Sequence, residues 1–311
     1  MRRNSRTLHT TFTLLGFNNS SSSDIAAENL RDLSQPIDVP LLDATVAAFY
    51  STLSKQERSA WIFRDLENNP DMWFQVMHIL QNTQNLTLQV LEGLIKYRWN
   101  ALPAEQRDGM TNFISDIIVQ LSSYEASFRM ERLYVNKLNI ILVQILKHEW
   151  PARWRSFIPD IVSAAKTSET ICENCMAILK LLSVKMFFDF SRGEMTQQQI
   201  KELKQSLNSE FQLIHELWLY VLSASQRAEL ILAILSTIHV FLSWIPLGFI
   251  FESPLLETLL KFIPLPAYRN ITLQCLTEVA SLQFGSFYDM QYVMMYGIFM
   301  GRGVSGSKKS N

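Results

Sequence analysis

The chain has 311 residues, of which 48% are hydrophobic and 18% charged, and glycine supplies only 10 positions, less than half its usual share of about 7%. Lys and Arg (28) nearly balance Asp and Glu (29), for a net charge of -1. That leaves no global basic field to neutralise a phosphate backbone and argues against general nucleic-acid binding. Three cysteines, Cys172, Cys175 and Cys275, are an odd number in a long chain and argue against a secreted disulfide framework.

The first residues, Met1 to Ser23, carry Arg2, Arg3, Arg6, a run of serines at 20–23 and no acidic residue, a composition shared by organelle transit peptides and by disordered extensions. With no evident processing site, the reading is an extension over 1–29. From there apolar residues recur every three or four positions, broken by short polar or proline-bearing turns, and strand alternation is absent. The periodicity predicts helices at Leu41–Thr52, Lys55–Glu67, Asp71–Gln81, Leu86–Trp99, Ala104–Ser122, Ser127–His148 and Trp154–Lys166. Further helices are expected at Ser168–Phe187, Thr196–Leu222, Gln226–Trp244, Ser253–Phe262, Tyr268–Leu282 and Tyr288–Met300. Pro70, Pro103 and Pro151 mark three of the breaks, where a missing N–H and a fixed φ suit a helix start.

Taken in pairs, these helices recur about every 35 to 55 residues. Each pair is too thin to bury its apolar face unless the next stacks on it, which is the logic of a HEAT-type α-solenoid. The stretch Leu230 to Phe251 lacks Asp, Glu, Lys and Arg over 22 residues, long enough to span a bilayer. Ser236, Thr237, His239, Ser243 and Pro246 interrupt it, and its neighbours are almost as apolar, so it reads as a buried solenoid helix with no membrane insertion.

Catalytic arrangements are missing. No GxxxxGK[ST], GxGxxG, HExxH or GxSxG occurs. The five histidines, His9, His78, His148, His215 and His239, fall in separate segments, and His78 and His215 lie in amphipathic helices as satisfied interface imidazoles. Cys172 and Cys175 match CxxC, but a structural zinc site needs four ligands and no second CxxC exists; both read as buried small hydrophobes. No metal, cofactor or enzymatic activity is expected.

Charge placement points to binding instead. In Leu86–Trp99, Gln89, Glu92 and Lys96 form a polar stripe opposite Leu88, Leu91 and Ile95. In Ser127–His148, Arg129, Arg132, Asn136 and Asn139 follow one edge, and Leu138, Ile141, Leu142 and Ile145 another. Either stripe is equally what a solvated face requires, with an intrahelical Glu92–Lys96 pair worth only a few tenths of a kcal/mol.

The segments LRDLSQPIDVPLLDATVAAFY, VLEGLIKYRWNALPAEQRDGM, ERLYVNKLNIILVQILKHEWPARWRSFIPDIV, KTSETICENCMAILKLLS and SWIPLGFIFESPLLETLLKF, with DFSRGEMTQQQIKELKQSLNSEF and YRNITLQCLTEVASL, resemble successive pieces of the exportin one family of karyopherins, in its plant form. The similarity runs over about Leu30 to Met300. It implies a HEAT solenoid with shortened importin-beta-like repeats over 30–100, exportin-like repeats over 101–300 and a polar tail at 301–311. It also implies a nuclear transport receptor that binds the GTP form of the small GTPase Ran, touches nuclear pore proteins and shuttles between nucleus and cytoplasm. By repeat position, Gln89, Glu92, Lys96, Arg129, Arg132 and Asn136 become the expected GTPase contacts.

The resemblance has gaps. The family's cargo groove and acidic loop lie beyond the position equivalent to Met300, so no export cargo is expected here. The chain reads as a truncated copy, with a non-transporting helical scaffold or competitor, or an inert gene copy, as alternatives. About one helical turn is missing between Ser54 and Asn69, a segment is lost between Asn82 and Leu88, and MFFDF near Val184 to Phe188 replaces a more polar stretch.

Overall fold

A computed structural model describes residues 30, 35–44, 88–192, 196–283, 288–290, 292–293 and 296–297, with backbone alone at 89–90, 94, 97–98 and 185–192. The helices expected at 55–67 and 71–81, His9, His78, and the altered stretches at 54–69, 82–87 and 184–188 lie wholly or largely outside these residues. The described chain is all-α and divides into two compact units, residues 1–114 and 115–311.

In the first unit a short helix at 39–44 opens at Asp38, whose Oδ1 accepts from the Leu41 N–H at 3.0 Å, a side-chain cap on an otherwise unpaired donor. Helix α1 (Leu88–Arg98) buries Leu88, Leu91 and Ile95, and the stripe continues into Trp99 of the following 3-10 turn. Spacings of three and four keep these residues on one face. Pro103 then precedes helix α2 (Ala104–Ser123), which starts at the expected residue, ends one residue later than expected and buries Met110 and Ile114 in this unit.

The second unit is the solenoid that the periodicity predicts. It comprises α3 (Glu125–Met130), α4 (Arg132–Glu149), α5 (Phe157–Ala165), α6 (Glu169–Arg192) and α7 (Gln197–Ala224). These are followed by α8 (Ala228–Phe241), α9 (Gly248–Phe251), α10 (Leu255–Phe262) and α11 (Pro266–Ser281). Helices α4, α6, α8 and α11 lie side by side in one layer, and α5, α7 and α10 form the second; α5 packs on α6, α7 on α8, and α10 on α11. Starts of the first-layer helices fall at residues 132, 169, 228 and 266. The widest interval reflects the 24-residue α6 and 28-residue α7.

Local signals set the boundaries. Thr196 and Gln199 form a reciprocal capping box at the start of α7, with Thr196 Oγ1 accepting from Gln199 N (3.2 Å) and Gln199 Oε1 from Thr196 N (2.9 Å). Pro266 occupies the first turn of α11, where no N–H is required. Along α7, Ile200, Leu203, Leu207, Phe211, Ile214 and Trp218 are buried, again at spacings of three and four. Phe211 meets Trp218, Phe241 and Phe249 at centroid separations of 5.4, 5.9 and 4.8 Å, an aromatic knot tying α7, α8 and α9 together.

The structure departs from the sequence reading in two places here. The helix expected over Ser127–His148 is two helices: Glu131 (φ -98°, ψ 18°) separates α3 from α4, although no Gly or Pro marks the break. The apolar stretch at 230–251 is likewise divided, α8 ending at Phe241 and the short α9 following Pro246. It is core as expected: Leu230, Ile234, Leu235, Ile238, Phe241 and Ile250 are fully shielded. No described helix is long and apolar enough to cross a membrane.

Candidate functional site

On α1 the expected binding stripe opposes the buried Leu88–Leu91–Ile95 face. Glu92 and Lys96 are half-buried, and each is engaged with another group of the chain; the Gln89 side chain lies outside the described residues.

The second stripe is split by the break at Glu131, and its members differ in availability. Arg132 and Asn136 stand exposed on the first turns of α4, and Arg132 makes no ion pair with any described residue. Asn139 does not belong to this edge. It is fully buried, donating through Nδ2 to Asn174 Oδ1 at 2.7 Å, with the reverse bond at 3.3 Å. From Leu138 onward α4 is shielded nearly all round, with α6 packed against it, so a one-sided amphipathic reading fails there.

Arg129 is held within an ion cluster. Its guanidinium donates to Glu125 at 2.7–2.9 Å and to Glu229, at the start of α8, at 3.1 Å. Arg227 stands beside it, one terminal nitrogen 3.3 Å from Glu125 and the other 3.1 Å from Glu173 on α6. Ser225 donates to Glu169 at 2.6 Å along the same edge. The Arg129 bonds, with the Arg227 charge behind them, hold the Glu125 carboxyl below its ordinary range. Glu229 is lowered first by its own backbone N–H and then by Arg129. Glu125 and Arg129, four residues apart, are readable from sequence as an intrahelical pair; Glu229, Arg227 and Glu173 are not, because they arrive from helices 44 to 100 residues away.

The remaining candidates behave as buried structural groups. Cys172, Cys175 and Cys275 are free and buried, and desolvation pushes the Cys172 and Cys275 thiols up to about 12 and Cys175 still further. They are neutral thiols at physiological pH. His215 is buried with its Nε2 3.1 Å from Ser253 Oγ, and burial lowers its pKa, so it is a satisfied neutral imidazole. No cluster of three or more His, Cys, Asp or Glu suited to a metal occurs among the described residues.

Stacked helix pairs of this kind define an α-solenoid scaffold of the HEAT type. The family profile described as importin-beta N-terminal domain matches residues 62–120, and that described as exportin 1-like protein matches residues 131–276. The chain is 77% identical over 283 residues to Protein EXPORTIN 1B of Arabidopsis thaliana and 75% identical over 285 residues to Protein EXPORTIN 1A, covering 89% of itself and 26% of either relative. Exportin-1 of Drosophila melanogaster is 43% identical over 277 residues, 87% of the chain and 26% of the relative. The chain is thus related to the exportin 1 family and spans about a quarter of the length of these relatives.

Proposed function

We propose that the chain acts as the GTPase-binding arm of an exportin-type nuclear transport receptor, engaging the GTP form of Ran and moving between nucleus and cytoplasm. The similarity to plant exportin 1 proteins, 75–77% identity along 89% of the chain, carries this reading. Gln89, Glu92 and Lys96 on α1 and Arg129, Arg132 and Asn136 on α3 and α4 are the contacts assigned to the GTPase. Contacts with nuclear pore proteins belong to the same reading.

Arg132 is the sharper probe of the second stripe. Its exposure and lack of a described ion-pair partner mean that a substitution there removes a surface cation and little else, whereas substituting Arg129 also dismantles the ion cluster. The test is a pull-down of the purified chain with Ran loaded with GTP or GDP. GTP-selective capture, weakened roughly tenfold or more by Lys96→Glu and by Arg132→Glu, is the expected result, a loss of about 1.4 kcal/mol or more for reversing a charge at an interface. Capture that ignores the nucleotide points to a scaffold; no capture by a folded chain overturns the reading.

A further inference from the structure

We infer that the Glu125–Arg129 and Arg227–Glu229 cluster is a salt-released clasp that ties α3, which leads into the first-layer helix α4, to the first-layer helices α6 and α8. In that layer α4 neighbours α6, and α6 neighbours α8. Bonds from α3 to the start of α8 therefore reach past an intervening helix: Arg129 to Glu229 at 3.1 Å and Glu125 to Arg227 at 3.3 Å. The two sides carry opposite charge orders, so each carboxylate of one meets a guanidinium of the other. Arg227 then divides its fork between Glu125 of α3 and Glu173 of α6, locking the intervening helix into the same arrangement.

The two halves of the clasp differ in how well water reaches them. Arg227 and Glu173 side chains are 14% and 11% exposed, whereas Arg129, Glu125 and Glu229 are 53%, 53% and 45% exposed. The shielded half keeps its attraction in salt, and the open half is screened, since the Debye length falls to about 4 Å near 0.5 M. Apart from the clasp, α3 has little to hold it. Phe128 is its one buried residue, while Met130 and the flanking Tyr124 and Leu133 are 82%, 71% and 76% exposed. A six-residue helix anchored by one side chain is a low-stability element whose opening is governed by such edge contacts.

Hydrogen–deuterium exchange on the full chain, without any partner, tests this. In 50 mM NaCl, Glu229→Gln and Glu125→Gln are expected to speed exchange of the 124–135 peptide roughly three- to fivefold while the 207–222 peptide of α7 keeps its wild-type rate. Raising NaCl to 0.5 M is expected to bring the wild type to the variants' rate and to move the variants little. If both variants exchange as the wild type does at low salt, or if salt accelerates them as much as it accelerates the wild type, the clasp is overturned.

Discussion

The interior and the edge of the first layer are both crossed by polar contacts, but of opposite kinds. Inside, every interface carries a buried uncharged bond. Asn139 pairs with Asn174 between α4 and α6. Between α6 and α8 it is Thr237 Oγ1, 3.2 Å from the Met176 carbonyl, accompanied by two part-buried bonds, from the charged Lys180 to Ser236 and from Trp244 Nε1 to Ser183 at 3.0 Å. Cys275 Sγ reaches the Leu235 carbonyl at 3.4 Å between α8 and α11. At the edge α3, α6 and α8 are joined by ion pairs, those of Arg129 about one-half exposed and the Arg227–Glu173 pair largely shielded. A buried polar atom has no water to turn to when its partner is lost, so the interior bonds fix which residue faces which. An exposed ion pair loses little when it parts, so the edge can open without dissolving the array.

The contrast breaks most visibly at the asparagine pair. Asn174→Ala leaves the Asn139 amide buried and unpaired, and is expected to cost about 2–3 kcal/mol, a fall of several degrees in Tm by calorimetry. Replacing both with Leu is expected to recover at least half of that loss, because no orphaned polar atom remains. An unrecovered double variant would mean that packing, not pairing, sets the cost.

Arg227→Met comes next. It leaves Glu173 largely shielded without its cation, and about 1–2 kcal/mol is expected in urea titration, less than for a fully buried pair. Glu229→Gln is smallest in stability and is expected to be visible mainly in exchange. Its pH dependence has a definite sign. Glu229 is lowered in the folded chain, so the contribution of its charge is present above the ordinary carboxylate range near 4.5 and is lost as pH falls through the lower folded value. The difference between wild type and E229Q should accordingly persist at neutral pH and vanish under acid; a difference that grew on acidification would reverse the assignment.

How far the sequence was legible divides along the same line. Helix existence followed from periodicity and proline breaks, and α2, α6, α7, α10 and α11 start within two residues of expectation. The buried thiols, the neutral His215 and the core character of 230–251 were also readable, because each depends on local composition. What was not readable depends on distant partners. Asn139 looks like surface until Asn174 arrives from 35 residues away, and Arg129 looks available until Glu229 arrives from 100. The break at Glu131 has no breaker residue to announce it, and α9 is a single turn without a periodic pattern. Of the proposed contacts, Arg132 and Asn136 stand exposed as the stripe requires; Asn139, read as part of the same edge but not among those contacts, belongs to the core.

The three native cysteines have a practical meaning beyond packing. With thiols raised to about 12 at Cys172 and Cys275, about one in ten thousand is ionised at pH 8, and the shift at Cys175 is greater still. Maleimides and spin labels attack the thiolate, so an introduced surface cysteine is expected to label in the native sequence background, with the three resident thiols left silent.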